Sequence, residues 1–299
     1  MKNNVRPSPP LARVLRQALY YKGVALGTLG FCTRWAVNVH GHGPEWIEVV
    51  NVDLPLSAVQ HRFGGMRIAH ISDLHCSRLV STAYLRRCID RVNMLESDLV
   101  LLTGDFITYD FQGDFRSRVA DMLSRLRSRH GAYACLGNHD YGLYALRHVF
   151  KQRREAALSR FMDDLQDNGV TVLRNRAVSL DIDGHPLWIV GLGDIKLNDF
   201  DPHTAFSGVR ADELTLVLLH NPRGVARLSM FPAHAVLSGH THGRRAASPY
   251  IAPLITKNRT YHAGMHDVGA SKLYVNRGLG RHGRTRFNAR PEITVYTIQ

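Results

Sequence analysis

The sequence predicts an α/β domain of two packed β-sheets with helices outside, a four-layer α-β-β-α sandwich, behind an N-terminal helical appendage. Three observations predict it. The first half from residue 47 alternates β-rich apolar runs with helically spaced segments, reading β-α-β-α-β. The second half is almost entirely strand patterns. The 299 residues are 44% apolar and 21% charged, ordinary globular composition with ample material for a core.

Residues 1–45 form the appendage. Residues 1–44 carry Lys2, Arg6, Arg13, Arg16, Lys22 and Arg34 and no acidic residue. Leu11, Val14, Leu15, Ala18 and Leu19 recur at helical spacing between arginines, as in a basic amphipathic helix on an anionic membrane surface. A helix packed on the domain is the alternative. The stretch GVALGTLGFCT, residues 23–33, falls short of the roughly 20 residues a bilayer requires. No A-x-A cleavage pattern follows it, and Arg13 and Arg16 are not adjacent as a twin-arginine signal requires. The four cysteines form no CxxC pair, which points to a reducing compartment. Peripheral association with the cytoplasmic membrane face is therefore expected, with a soluble cytoplasmic protein as the alternative.

Residues 46–299 hold the main domain. IEVVNVDLPL alternates like a strand, and MRIAHIS at 66–72 is a short β-rich run. Ser81 is a helix N-cap, and Leu85, Ile89 and Val92 keep helical spacing behind it. DLVLLTGD reads as a strand covered on both faces. Val119, Met122, Leu123 and Leu126 place a helix within 114–129. GAYACLGN is a strand, a helix near 155–168 is closed by Gly169, and VTVLRN is a strand. AVSLDIDGHPLWIVGLGD is a hairpin turning at Asp183-Gly184. LTLVLLH, HAVLSGH, KLYVNRG and EITVYTI complete the strands.

Five of these apolar runs end in residues able to hold a metal. HISDLH delivers Asp73 and His75, and LLTGDF delivers Asp105. CLGNHD delivers Asn138, His139 and Asp140, LVLLHNP delivers His220, and VLSGHTH delivers His240 and His242. Singly, each is an ordinary turn, cap or satisfied histidine. Jointly, they place ligands where open α/β sheets collect them, at carboxyl ends of strands. Carboxylates, imidazoles and a carboxamide oxygen suit Mn, Fe or Zn and exclude a four-thiolate structural zinc site.

Asp-x-His, Gly-Asp, Gly-Asn-His-Asp, a single His, then Gly-His-x-His, in that order, resembles the calcineurin-like metallophosphoesterase superfamily over roughly residues 66–299. The resemblance implies a double β-sandwich of mixed sheets flanked by helices. It implies two divalent metal ions: Asp73, His75 and His242 on one, Asn138, His220 and His240 on the other, Asp105 between them. It gives His139 the catalytic role beside the scissile phosphate, oriented by Asp140. The nucleophile would be a hydroxide shared by the metals.

GLGD at 191–194, LLHNP, GHTHG and LYVNRGLG with RFNARPEITV resemble a bacterial membrane-associated branch. That branch holds phosphodiesterases and an enzyme cleaving UDP-2,3-diacylglucosamine. A phosphodiester or pyrophosphate in a phosphorylated lipid or lipid-linked nucleotide is the implied substrate. Arg277 is a candidate phosphate contact, with a surface arginine as its alternative. The branch usually continues Gly-His-Thr-His-Gly-Gly-Gln; here Arg244 and Arg245 stand in the last two places. They either grip a second phosphate or headgroup or are solvated charges.

The net charge of +13 favours anionic partners. A basic nucleic-acid-binding protein is disfavoured, because the basic residues are spread and no helix-turn-helix, RRM or zinc-finger pattern occurs. A nuclease or soluble nucleotide phosphodiesterase is the closer rival.

Overall fold

The computed structural model describes residues 46–56, 60–108, 110, 114–142, 151–243, 261–280 and 290–299. The appendage and Arg244 and Arg245 lie outside them. Among the described residues, no helix is long and apolar enough to cross a membrane.

Two six-stranded sheets form, as the alternation of patterns predicts. The first contains β1 (Glu48–Leu54), β2 (Arg67–Ile71), β3 (Leu99–Thr103), β4 (Ala132–Cys135), β5 (Val170–Val172) and β12 (Glu292–Ile298). Its order is β1-β12-β2-β3-β4-β5. Strands β2 to β5 run parallel, while β12 is antiparallel to β2 and parallel to β1. The second contains β6 (Arg176–Ile182), β7 (His185–Gly191), β8 (Leu214–Leu218), β9 (Ala235–Ser238), β10 (Gly264–Val268) and β11 (Ser271–Val275). Its order is β10-β11-β9-β8-β7-β6, parallel from β11 to β7 with an antiparallel strand at each edge.

The central strands are apolar runs because both of their faces are covered. All five residues of β3 and all five of β8 are buried. Between the sheets, Ile68, Leu99, Leu101 and Tyr296 meet Leu187, Leu216, Leu237 and Tyr274 in one core. Truncating one of these leucines to alanine costs about 2–5 kcal/mol. The outer face of the first sheet is covered by α1 (Thr82–Asn93), α2 (Asp114–Leu123) and α3 (Lys151–Asp167). Helix α1 starts at Ser81, whose Oγ accepts from Tyr84 N at 3.2 Å, and buries Leu85, Cys88, Ile89 and Val92. Helix α2 stops at Leu123, short of the expected span, although Leu126 still packs on the same core. Among the described residues, the outer face of the second sheet has only short helical pieces, around Ala205, Phe206, Val225 and Leu228.

The hairpin β6–β7 turns at Asp183 (φ 53°) and Gly184 (φ 84°). Positive φ at both central positions is the two-residue turn that an Asp-Gly pair favours. Strand β10 carries no sequence signal: GMHDV is half-buried and lacks alternation.

Candidate metal centre

The strand directions bring the predicted residues to one edge of the sandwich. Strands β2, β3 and β4 are parallel neighbours in the first sheet, and β9 and β8 are parallel neighbours in the second. Their carboxyl ends lead into Asp73, Asp105, Asn138, His240 and His220. The loops interlock by backbone bonds: Asp73 N donates to Gly104 O and His75 N to Asp105 O, each at 2.9 Å. Two bonds join the sheets across the site. The His220 ring donates from Nδ1 to Thr103 O at 2.6 Å, and His240 N donates to Asp73 Oδ2 at 2.9 Å.

Five of these residues have backbones in the left-handed region: Asp73, His75, Asp105, His240 and His242, with φ from 47° to 67°. Non-glycine residues adopt this region at a cost, and such strain clusters at functional sites. Gly239 supplies the close approach of the two sheets, since a side chain there would collide with Ser72 and Asp73.

Three groups of ligand atoms converge: Asp73, His75 and His242; Asp105, His220 and His240; and His75, Asp105 and His139. Within each, the atoms lie within 4.8 Å of one another. His75 Nε2 and His242 Nε2 are 3.1 Å apart, and His242 Nε2 is 3.3 Å from Asp73 Oδ1. His220 Nε2 is 3.1 Å from Asp105 Oδ2, and His240 Nδ1 is 3.2 Å from His220 Nε2. Asp105 thus stands between the Asp73 and His240 sides.

The donor set fits divalent cations. Asn138 is buried and its Oδ1 has no hydrogen-bond partner, although a buried acceptor ordinarily has one. The carboxylate and imidazole donors that converge here suit a divalent cation.

The buried charges agree. Burial, then the charge of Asp105, push the Asp73 carboxyl up to about 6, against the opposing pull of His220. Burial would raise Asp105 too, but His220, His139 and His75 hold it well below the usual carboxylate range. Burial alone would lower the His220 imidazole; Asp105, Asp73 and Asp194 outweigh it and carry it up to about 10. A pocket this anionic retains positive charge.

The structure corrects one expected contact. Asp140 spends its carboxylate on backbone, accepting from Asp105 N and Gly137 N through Oδ2 and from Phe106 N and Ile107 N through Oδ1, at 2.8–3.3 Å. The His139 ring is instead held by Nδ1 donating to Thr108 O at 3.0 Å, and its backbone N–H donates to Asp105 Oδ1 at 2.8 Å. Asp140 therefore positions His139 through the loop that carries it. The reason is geometric: a carboxylate one residue along the loop points into the sandwich, where the N–H groups of the β3 loop need an acceptor.

Arg277 is paired within the fold: its Nε pairs with Glu292 of β12 and its Nη2 donates to Glu48 Oε2 of β1 at 2.7 Å.

Three neighbours of the site went unread in the sequence. Thr108 Oγ1 is 3.2 Å from His75 Nδ1. Asp194 is buried beyond the end of β7, and Lys196 Nζ lies 2.5 Å from His240 Nε2. The signal for Asp194 was present, because GLGD is a sixth apolar strand ending in a carboxylate. Lys196 follows in an exposed turn that no pattern marks.

Residues 66–244 match the family described as Calcineurin-like phosphoesterase. The chain is 32% identical over 260 residues to the uncharacterized metallophosphoesterase YkuE of Bacillus subtilis, covering 86% of this chain and 87% of that protein. It is 30% identical over 264 residues to the phosphodiesterase YaeI of Escherichia coli, covering 87% and 91%. It is 29% identical over 297 residues to the UDP-2,3-diacylglucosamine pyrophosphatase LpxG of Chlamydia muridarum, covering 84% and 89%. On that breadth of match, the chain belongs to the calcineurin-like phosphoesterase family and is a metal-dependent phosphoric ester hydrolase.

Proposed function

We propose that the chain hydrolyses a phosphodiester or pyrophosphate bond in a lipid-linked nucleotide or phospholipid at a membrane surface. The observation that carries the hydrolytic part is the convergence of Asp73, His75 and His242 with Asp105, His220 and His240. Asp73, His75 and His242 would hold one divalent ion and Asn138, His220 and His240 a second, with Asp105 serving both. Ions there would supply Lewis acidity and a nucleophile at neutral pH.

The chain's own residues do the rest. The Thr108 carbonyl fixes the hydrogen of the His139 ring on Nδ1, leaving Nε2 to face the phosphate. His139 sits beside His75, with ring centroids 5.0 Å apart, close enough to reach an oxygen of a phosphate bound at the cluster. In the imidazolium form, with a second hydrogen on Nε2, it either donates to a phosphoryl oxygen or gives that proton to the leaving oxygen and is left neutral. Thr108 Oγ1 and Asp140 keep His75 and the His139 loop in register.

The lipid part is supported by the basic, acid-free residues 1–44 and by the LpxG relatives, which are named for a lipid-linked nucleotide sugar. Arg244 and Arg245 follow His242 by two and three residues, and they belong to the same reading as contacts for a headgroup or second phosphate.

Hydrolysis of bis-p-nitrophenyl phosphate with added Mn tests the catalytic part. Asp105→Asn and His139→Ala are expected to lower kcat about 100-fold or more, with His139→Ala keeping its metal. Unchanged rates in both variants would refute the roles. Sedimentation with anionic liposomes, full length against a chain starting at residue 46, tests the membrane part; equal soluble fractions would refute it.

A further inference from the structure

The turn after β7 places a cation on the rim of the site. Asp194 caps a short 3-10 turn, Ile195–Leu197, with Oδ1 accepting from Lys196 N at 2.9 Å. Its other oxygen, Oδ2, is buried without a hydrogen-bond partner in a side chain only 1% exposed. The turn is anchored from behind. Asp199 takes a bidentate pair from Arg174 at 2.7 and 2.8 Å and a bond from Tyr141 Oη at 2.6 Å. Tyr141 directly follows Asp140, so this turn and the His139 loop are fastened to one post.

From this turn the exposed Lys196 side chain reaches back over the site, its Nζ 2.5 Å from His240 Nε2. The opposite ring nitrogen, Nδ1, faces His220 and the Asp105 group. When Nδ1 serves a cation, Nε2 carries the ring hydrogen. An N–H and an ammonium are both donors and cannot satisfy one another. The ammonium then loses Nε2 as an acceptor, while a phosphoryl oxygen at the mouth offers one.

We propose that Lys196 is a substrate-phosphate contact, an ammonium that leaves His240 for a phosphoryl oxygen once the cluster holds its cations, with Asp194 positioning it. This rests on the hydrolytic reading above and adds a specificity-determining residue to it. His139 and Lys196 then flank the phosphate, one beside His75 and the other beside His240, with Asp105 between. A lysine acts here as a compact point charge, which tolerates different phosphate geometries better than a bidentate arginine.

The test is calorimetric titration of the Mn-loaded full chain with inorganic phosphate. Lys196→Met is expected to weaken phosphate binding about tenfold while its Mn content stays at the wild-type level. Lys196→Arg is expected to restore most of that affinity, and KM for bis-p-nitrophenyl phosphate to rise with kcat nearly unchanged in Lys196→Met. Phosphate affinity equal to wild type in Lys196→Met overturns the proposal, as does loss of Mn from that variant, which would make the lysine a support for His240. The titration needs no turnover, so a wild-type chain that binds phosphate without cleaving a diester refutes the proposed hydrolysis and leaves the role of Lys196 standing.

Discussion

The backbone N–H of His240 donates to both carboxylate oxygens of Asp73, at 2.9 and 3.2 Å, across 167 residues of sequence and from one sheet to the other. A buried carboxylate thus serves as a joint between the sheets while being offered as a ligand. It is also fully buried next to Asp105, and its pKa is pushed up to about 6, by burial first.

That shift predicts a stability trade. A carboxyl whose folded pKa lies above its unfolded value of 3.8 loses stability as pH rises from about 4 to 6, and the loss persists above. Metal-free Asp73→Asn should therefore unfold later than the metal-free wild type at pH 7.5, by about 1–3 kcal/mol, with the gap closing toward pH 4. Chemical denaturation in chelator at the two pH values measures it. A variant less stable than wild type at both values would contradict the charge account.

The Asp140 carboxyl is also pushed up, to about 7, by burial first and by the charge of Asp105, but its hydrogen bonds set the outcome of a substitution there. Its two oxygens accept from four backbone N–H groups of two loops. Asp140→Asn turns one acceptor into a donor facing donors, and should destabilise by about 1–3 kcal/mol. Because the His139 loop loosens with it, kcat should fall as well, with no substrate contact removed. Denaturant midpoints and steady-state rates check both halves.

Arg277 predicts a pure stability effect. Glu292 is buried and also accepts from Tyr274 Oη at 2.7 Å and Thr294 Oγ1 at 2.6 Å. Removing the guanidinium leaves that carboxylate uncompensated, so Arg277→Met should cost about 3 kcal/mol or more. KM for bis-p-nitrophenyl phosphate should stay at the wild-type value. A large rise in KM with unchanged stability would return Arg277 to the substrate.

What could be read ahead of the structure divides along physical lines. Local signals held: the Ser81 cap, the Asp183-Gly184 turn and the apolar runs β3 and β8 each carry their own cause in a few residues. The convergence of Asp73, Asp105, His220 and His240 was legible because each follows an apolar run, and parallel runs must end on one side. Long-range pairing was not legible. Nothing local to Glu48–Leu54 says that it lies beside Glu292–Ile298, at the far end of the described chain. The partner of Arg277 depends on that pairing, since Glu48 and Glu292 are its two carboxylates. The target of Asp140 depends on how the β3 loop folds over it, and the reach of Lys196 depends on a short 3-10 turn that exposed residues build without periodicity.

The central claim is that the two halves of the cluster each seat a cation. The most direct measurement is the metal content of the full chain after loading with Mn and removal of excess, read by elemental analysis alongside the Asp105→Ala variant. Two ions per chain in the wild type and fewer than one in Asp105→Ala are the predicted result. One ion or none in the wild type, or an Asp105→Ala variant that still holds two, would contradict it.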